Sequence, residues 1–322
     1  MKVIVTGGAG FIGSCLISKL NAEGVGDILV VDELADTEKW KNLCGKTFED
    51  YIEKKDFLSL LESGRLGTSF DRIIHMGAAT STTETDASYL VENNYRYTRR
   101  LCEWALAKKV HFLYASSAAT YGDGSLGYSD NDEVSLALRP LNMYGYSKQL
   151  FDLWLIRNKL TSKVTGFKFF NVFGPNEYHK GDMMSLVCRA FDEVRRGEPM
   201  RLFKSYNAAY AHGEQKRDFI YVKDAVAMVY YFITHPAKKG IFNIGSGKAR
   251  SWNELASALF AALGMKPDIR YIEMPPAIRE KYQYFTEADL TKLRKAGCRH
   301  AITPLGEAVK DYAGYLSGRS YL

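Results

Sequence analysis

The chain has 322 residues, enough for two domains or for one large α/β domain with a subdomain. It is 46% hydrophobic and 25% charged, which is ordinary for a globular protein with a sizeable core. Its 43 basic and 37 acidic residues give a net charge of +6, which suits an anionic ligand but is too diffuse to indicate binding to nucleic acid.

The cysteines and the apolar runs indicate in which cellular compartment the protein is expected. Five cysteines are scattered without any C-x-x-C spacing, so we expect neither a disulfide framework nor a zinc site. No apolar run reaches the roughly 18 residues that a membrane span needs. The chain opens directly into an apolar run at residues 3–5, without the charged segment of an export signal. We therefore predict a cytoplasmic protein that binds no metal and no membrane.

Short β-rich apolar runs alternate with segments of helical period through the first half of the chain. The expected strands are residues 2–6, 28–32, 72–75, 111–116 and 164–172, and the expected helices are 11–20, 87–108 and 144–160. Strands so continuously apolar are buried on both faces, and helical crossovers between them make neighbouring strands parallel. The pattern predicts an α/β protein with a doubly wound parallel (Rossmann) sheet.

After about residue 171 the regular alternation of strands and helices ends. Helices expected at 183–196, 224–235, 252–263 and 303–316 are separated by isolated strands and by loops rich in Gly, Asn and Tyr. We interpret residues 1–170 as the Rossmann domain, with segments returning to it near 218–248 and 283–300. Residues 171–322 then form mainly a smaller α/β substrate-binding C-terminal domain that caps the strand ends.

A glycine-rich turn follows the first expected strand and opens the first helix. Gly7, Gly10 and Gly13 permit the tight turn, the close approach of backbone to a pyrophosphate, and close packing of helix on strand. The helix N-terminus then presents free N–H groups and a positive dipole end to that pyrophosphate. A strand before and a helix after are the context that makes this glycine pattern specific for a dinucleotide.

Two carboxylates end the second expected strand, where an acidic residue is expected to bind the adenosine ribose. Asp32 or Glu33 would accept hydrogen bonds from the ribose, but both would repel a 2′-phosphate. Lys39 is either the cation that compensates them or a solvated helix charge. These residues leave NAD and NADP open.

A second group of residues indicates hydride chemistry. Tyr144 and Lys148 stand four residues apart at the start of an expected helix, and therefore share one face. A neighbouring ammonium and a cationic nicotinamide favour the phenolate, which lowers a phenol pKa that is ordinarily about 10. Ser116, at the end of the fourth strand, can bind the same substrate oxygen. Tyr146 points to another face of the helix, where we expect it to pack.

These motifs resemble those of the extended short-chain dehydrogenase/reductases that modify nucleotide sugars, and most closely the ADP-L-glycero-D-manno-heptose 6-epimerase family. The similarity extends over nearly the whole chain. It includes VTGGAGFIGS (5–14), DILVVD (27–32), STTE (81–84), NNY (93–95), FLYASSAATYG (112–122), PLN (140–142), YGYSK (144–148), FNVFGP (170–175), HKG (179–181), KRDF (216–219), FNIG (242–245) and YQ (282–283). The STTE and HKG segments are more specific than the motifs of the whole superfamily.

The resemblance implies epimerisation of ADP-D-glycero-D-manno-heptose at C6, through a transient ketone and tightly bound NADP, with NAD as the alternative cofactor. Such a reaction supplies heptose for the lipopolysaccharide core. It needs one acid/base group on each side of the carbon. The family pattern places these groups at Tyr144 and Lys180. Without the family, Lys180 in a loop after a strand is typical of a solvated charge. The family also implies a homo-oligomer, with a pentamer among the expected forms.

Further contacts are implied by the same resemblance. Those expected at the cofactor, besides the three glycines, are Phe11, Ile12, Asp32, Glu33, Lys39, Lys54, Met76, Gly77, Ala78, Ala79, Thr80, Asn93, Lys148, Val172 and Lys180. Those expected at the substrate are Ser116, Asn171, Asp182, Arg189, Phe203, Lys204, Ser205, Tyr206, Arg217 and Tyr282. Arg217 is suited to bidentate contact with a diphosphate, or alternatively pairs with Asp218 in a structural role at the surface.

The chain departs from the family pattern at several positions. Glu33 stands where the family usually has asparagine, which weakens the assignment of NADP. Asp182 and Arg189 replace small or aromatic polar residues, and the stretch 204–215 is longer than usual. These positions lie where the adenosine ribose, the substrate sugar or its phosphates would bind.

Two other functions remain open from the sequence. One is a different nucleotide-sugar epimerase or dehydratase on the same scaffold, although a 4,6-dehydratase would favour an Asp-Glu pair that the strand end at 116–118 lacks. The other is a non-catalytic protein that senses NAD(P). The second predicts loss of Tyr144, Lys148 or Ser116, and all three are present.

Overall fold

The computed structural model describes residues 1–67, 69–279 and 282–322. Its strands are β1 (Val3–Thr6), β2 (Ile28–Asp32), β3 (Asp50–Glu53), β4 (Arg72–His75), β5 (His111–Ser117), β6 (Thr165–Phe169), β7 (Asn171–Phe173), β8 (Met200–Phe203), β9 (Lys216–Tyr221), β10 (Gly240–Ile244), β11 (Ala249–Ser251) and β12 (Ile269–Ile272).

The α-helices are α1 (Phe11–Ala22), α2 (Lys54–Glu62), α3 (Ala87–Leu90), α4 (Tyr97–Ala107), α5 (Asp132–Ala137), α6 (Met143–Arg157), α7 (Leu186–Arg195), α8 (Val222–Thr234), α9 (Trp252–Ala262), α10 (Pro276–Arg279), α11 (Thr291–Lys295) and α12 (Leu305–Gly318). Short 3₁₀ turns occupy Glu38–Leu43, Ala118–Tyr121, Thr161–Lys163 and Tyr178–Met183, and a π-helix occupies Val91–Arg96.

Seven strands form one parallel sheet in the order β10-β6-β5-β4-β1-β2-β3. Strand order reverses between β1 and β4, which opens a crevice at their carboxyl ends where such sheets bind ligands. Strands β1, β2, β5, β6 and β10 are buried along their whole length, because helices cover both faces. The predicted α/β class with a Rossmann sheet is therefore confirmed.

The prediction of a single strand over 164–172 is wrong. Strand β6 pairs with β5 and β10 in the main sheet, whereas β7 pairs with β9 in a separate three-stranded sheet. Phe170 lies between the two and donates its backbone N–H to Ile244, so the chain leaves the main sheet there. An apolar run looks the same whether it stays in one sheet or changes to another, so the pattern could not show the break.

The expected helix 87–108 forms as α3, the π-helix and α4 in succession. A π turn is wider than an α turn, and such turns are frequent at functional sites. Asn94 is buried in this turn, donates to the Ala79 carbonyl and accepts from the Ala79 N–H, both at 2.8 Å. It also donates to the Ser147 hydroxyl on α6 at 2.9 Å. The π turn thus ties the loop after β4 to α6.

The second half of the chain contributes to both halves of the molecule. Strand β10 forms the edge of the main sheet and α8 packs against α1, whereas β8 and β12 form a separate two-stranded parallel sheet. A division of the chain near residue 170 stays a prediction. Across the described residues, no helix combines the length and the apolar character that a membrane crossing needs.

Candidate functional site

A cavity of about 1000 Å³ lies at the carboxyl ends of the main sheet. The glycine loop, the ends of β4 and β5, and the start of α6 form one side of it. Residues 179–190, β8 and the start of α9 form the other side. The cavity therefore lies between the Rossmann sheet and the elements that follow residue 171, which is the expected place for a ligand on such a sheet.

The glycine loop is packed too closely for side chains. Gly7 has φ of +70°, and a Cβ there would lie 2.3 Å from the backbone nitrogen of Gly77. A Cβ at Gly13 would lie 2.0 Å from the carbonyl oxygen of Gly7. Gly7, Gly10 and Gly13 nevertheless line the cavity, and α1 begins beside it at Phe11. This cradle fits the pyrophosphate of a dinucleotide.

Asp32 supports the glycine loop. Its Oδ2 accepts the backbone N–H groups of Ala9 and Gly10 at 2.8 and 3.2 Å. Its Oδ1 accepts the Lys39 ammonium at 2.8 Å and the Glu33 N–H at 2.7 Å. Asp32 and Lys39 both line the cavity, so Lys39 is an ion-pair partner at the ribose end and not merely a solvated charge.

Lys54 is a second cation near this end of the cavity. Its ammonium donates to the Asn93 side-chain oxygen and lies 5.1 Å from the centre of the Tyr97 ring. Burial lowers the pKa of Lys54, and the charges of Glu33 and Asp32 partly oppose that shift. Two carboxylates and two ammonium groups, those of Asp32, Glu33, Lys39 and Lys54, thus lie together at the end of the cavity where the adenosine is expected.

Of the two serines that end β5, the structure places the second one beside Tyr144. The Ser116 hydroxyl donates to Asp152 at 2.7 Å and Ser116 also lines the cavity, so its expected contact with the substrate oxygen stays a prediction. Ser117, in contrast, interacts with the Tyr144 phenol. Alternate residues of a strand point to opposite sides, so the two serine hydroxyls have different partners. This alternation indicates that the two serines differ, but not which of them faces Tyr144.

Tyr144 and Lys148 both line the cavity from α6. Burial raises the pKa of Tyr144, and the interaction with Ser117 partly opposes it. Burial lowers the pKa of Lys148 to about 8, with the Asp152 carboxylate acting in the opposite direction. Lys148 therefore keeps its proton at neutral pH and can favour the phenolate of its neighbour. Tyr146 is 51% exposed, so the prediction that it packs is wrong.

A fully buried ion pair lies behind Lys148. Asp152 is one helical turn after Lys148, and its Oδ2 lies 3.4 Å from the Lys168 ammonium, with both side chains 0% exposed. Tyr114 and Ser116 donate to the two oxygens of the same carboxylate at 2.8 and 2.7 Å. Sequence reasoning missed this pair, although an acidic residue four positions after Lys148 on one helix face was visible.

Replacing Asp152 with Asn is expected to reduce the free energy of unfolding by about 3–5 kcal/mol, because it leaves the buried Lys168 ammonium without a countercharge. Urea denaturation measures this. The double variant Asp152→Asn/Lys168→Met should recover part of the loss. Glu92→Gln, which breaks a surface pair with Arg96, is the control and should cost less than about 1 kcal/mol. A single variant as stable as the wild type would contradict the prediction.

Lys180 reaches the cavity from a 3₁₀ turn after β7. Its ammonium lies 4.9 Å from the centre of the Phe11 ring and 3.6 Å from Oε2 of Glu177, and its side chain is 22% exposed. Burial lowers the pKa of the adjacent His179 to about 4, so the imidazole is neutral at pH 7. Lys180 is the basic side chain that lines the cavity beside this neutral imidazole.

Arg217 is a buried guanidinium beside the cavity. It is 6% exposed, donates to the backbone carbonyl of Lys216 at 2.9 Å, and lies 5.0 Å from the ring of Tyr282, which lines the cavity. Asp218 accepts instead from Ser246, Gly247 and Ala288. The alternative of a surface Arg217–Asp218 pair is wrong. Among the described residues, no carboxylate forms a salt bridge with Arg217.

The remaining predicted site residues divide into two sets. The cavity is also lined by Gly10, Ile12, Met76, Gly77, Ala78, Thr80, Asn171, Val172, Arg189 and Phe203. Within the described part of the chain, the lining does not include Glu33, Lys54, Ala79, Asn93, Asp182, Lys204, Ser205, Tyr206 or Arg217. Lys204 and Tyr206 both bind the Glu273 carboxylate, so the start of the long loop is held at the rim.

The chain matches the model of the NAD dependent epimerase/dehydratase family over residues 3–245. It therefore belongs to this family, and a nicotinamide dinucleotide is its cofactor class.

Full-length relatives define the family more narrowly. An ADP-L-glycero-D-manno-heptose-6-epimerase of Nitratidesulfovibrio vulgaris is 52% identical over 96% of each chain. One of Fusobacterium nucleatum is 45% identical, over 99% of this chain and 100% of its own. The crystal structure of the Helicobacter pylori ADP-L-glycero-D-manno-heptose-6-epimerase superposes with a TM-score of 0.79 at 27% identity, over 98% of this chain and 96% of that one. The chain belongs to the family of ADP-L-glycero-D-manno-heptose-6-epimerases, which are isomerases.

Proposed function

We propose that this enzyme interconverts ADP-D-glycero-D-manno-heptose and its L-glycero epimer at C6, as the names of its relatives describe for those proteins. One observation carries the proposal. Tyr144 with Lys148, and Lys180 from a separate turn, line one cavity beside the glycine loop. A plain dehydrogenase needs only the first of these groups, whereas an epimerase needs a proton acceptor on each side of the reacting carbon.

The bound nicotinamide ring supplies a hydride acceptor and donor. Tyr144 takes the proton of the C6 hydroxyl from one epimer, and Ser117 and Lys148 orient the phenol and favour its anion. Lys180 exchanges a proton with the C6 oxygen when the other face of C6 is presented. Each proton therefore moves between the C6 oxygen and one of the two side chains.

The direct test uses the purified protein with ADP-D-glycero-D-manno-heptose and no added cofactor, and follows the configuration at C6 by NMR. Conversion to the L-glycero epimer supports the proposal. Absence of conversion by protein that retains bound nicotinamide, together with turnover of another nucleotide sugar, would overturn it.

The two bases are tested separately by single-turnover oxidation of each epimer, read from the near-ultraviolet absorbance of reduced nicotinamide. We define the Lys180-dependent oxidation as that of the epimer which Lys180→Met no longer oxidises. The oxidation of the opposite epimer is then the Tyr144-dependent one. A Lys180→Met variant that oxidises both epimers at the wild-type rate would overturn the two-base mechanism.

We propose NADP as the cofactor, with Lys39 compensating the charges of Asp32 and Glu33 near a 2′-phosphate. Lys39→Ala is expected to weaken NADPH binding by about 10-fold or more and NADH binding much less, because a hydrogen bond between charged groups contributes about 1.5–3 kcal/mol. Fluorescence titration of the two reduced cofactors measures this.

Lys41→Ala is the matched control, since Lys41 lies in the same 3₁₀ turn and pairs with Glu38 at the surface. It should leave both affinities unchanged. Glu33→Asn should increase the preference for NADPH by removing one carboxylate. Equal losses for NADPH and NADH in Lys39→Ala would indicate that Lys39 supports the loop and not the phosphate.

The wider assignments are also proposals. We propose that residues 171–322 bind mainly the ADP-sugar and that the enzyme acts as a homo-oligomer. Sedimentation of the purified protein tests the second of these.

A further inference from the structure

Glu177 is a carboxylate that the proposed mechanism does not use. Its side chain is 0% exposed, which is costly for an ionised group unless its oxygens are fully bonded. Oε1 accepts the Ser185 hydroxyl at 2.6 Å, the Tyr312 hydroxyl at 3.1 Å and the Gly174 N–H at 3.3 Å. Oε2 accepts the Ser185 N–H at 2.7 Å. Five donors and cations thus converge on this carboxylate when Lys180 is included.

These bonds close the segment that carries Lys180. Gly174 stands before the segment and Ser185 after it, and both are attached to the same carboxylate. Two residues within it adopt positive φ, Asn176 at +75° and Gly181 at +54°. Positive φ is strained for Asn176, which has a Cβ, and persists only when the surroundings hold it, whereas Gly181 adopts it without that cost. Glu177 joins the two ends, and Tyr312 of α12 anchors it to the rest of the molecule.

The second role of Glu177 is electrostatic. Its Oε2 lies 3.6 Å from the Lys180 ammonium, and among the described residues Lys180 is the cation within salt-bridge distance of it. The Phe11 ring lies on another side of the same ammonium, 4.9 Å away. Lys180 therefore lies between a carboxylate and the glycine loop, at the wall of the cavity.

We propose that Glu177 is the positioning residue for Lys180: it fixes the segment 174–185 and holds the ammonium in place to exchange a proton with the substrate. During the reaction the proton moves between Lys180 Nζ and the C6 oxygen, and Glu177 neither gives nor takes a proton. This inference rests on the proposed function, because it assigns Lys180 a role in proton transfer.

The test is a double-mutant cycle between Glu177→Gln and Lys180→Met in the cofactor-loaded enzyme. Glu177→Gln is expected to slow the Lys180-dependent oxidation by about 10²-fold, since a displacement of about 1 Å has that effect on a reacting group. The Tyr144-dependent oxidation should change by less than about 3-fold. In the Lys180→Met background, Glu177→Gln should cause no further loss in the Tyr144-dependent oxidation that remains, since the effects of interacting residues are not additive.

Two further variants separate positioning from folding. Ser185→Ala removes a brace from Glu177 but keeps its charge, and should slow the same oxidation to a smaller extent than Glu177→Gln. If Glu177→Gln fails to fold, Ser185→Ala provides the test instead. It should slow the Lys180-dependent oxidation and leave the Tyr144-dependent oxidation unchanged. Glu198→Gln, an exposed glutamate in the following segment that is paired with Arg196, should change neither oxidation.

The outcomes distinguish the two proposals. Equal slowing of both oxidations, or no slowing of either, would overturn the role of Glu177 while leaving the two-base mechanism intact. Full activity of Lys180→Met towards both epimers would overturn the two-base mechanism and this inference with it.

Discussion

Tyr144→Phe is expected to reduce epimerisation by about 10²–10⁴-fold, the usual contribution of a general acid/base group. In the proposed mechanism the phenol transfers the proton, with Ser117 at its oxygen and the Lys148 ammonium on the same helix face. The change removes one oxygen and keeps the ring. We therefore expect the free energy of unfolding to change by about 1 kcal/mol or less.

The decisive measurement is again the oxidation of each epimer by the bound cofactor. Tyr144→Phe should lose the Tyr144-dependent oxidation and keep the Lys180-dependent one. This is the opposite of the result expected for Lys180→Met. Tyr146→Phe is the matched control, because Tyr146 lies on the same helix but is exposed, and it should behave as the wild type. Loss of both oxidations in Tyr144→Phe would mean that one base serves both epimers.

Arg217→Met is expected to weaken binding of the ADP-sugar by about 10²-fold while leaving the protein as stable as the wild type, or more stable. Burial lowers the pKa of Arg217, and within residues 1–67, 69–279 and 282–322 its hydrogen-bond acceptor is the backbone carbonyl of Lys216. A buried cation without a carboxylate costs folding free energy. We propose that the diphosphate of the ADP-sugar supplies the missing negative charge through bidentate hydrogen bonds to Arg217, which offsets this cost.

Isothermal titration with ADP and with the ADP-sugar, together with urea unfolding, measures the two effects on one sample. Arg250→Met is the matched control, since Arg250 is the register partner of Arg217 across β9 and β11 but pairs with Glu254 near the surface. It should leave the affinity for ADP unchanged. A loss of stability of more than about 2 kcal/mol in Arg217→Met with unaltered affinity would assign the guanidinium a structural role.

The parts of the fold around the site that were predicted correctly are local in sequence. The glycine turn, the strand before it and the helix after it lie within the first 22 residues, and their spacing follows from the geometry of one βα unit. The parallel sheet followed from apolar runs at regular intervals. Strand β3 and the sheet change at Phe170 were missed, because half-buried edges and continuous apolar runs carry no distinguishing period.

The sequence by itself determined the cofactor-binding fold, the pairing of Tyr144 with Lys148, and the resemblance that identified Lys180. Only the tertiary structure decided which serine faces Tyr144, that Lys168 neutralises Asp152 behind the site, that Arg217 is buried, and that Glu177 holds Lys180. The physical reason is distance along the chain. Glu177 and Tyr312 are 135 residues apart and Tyr114 and Asp152 are 38 apart, so these partners meet only after the sheet, α6 and α12 have packed.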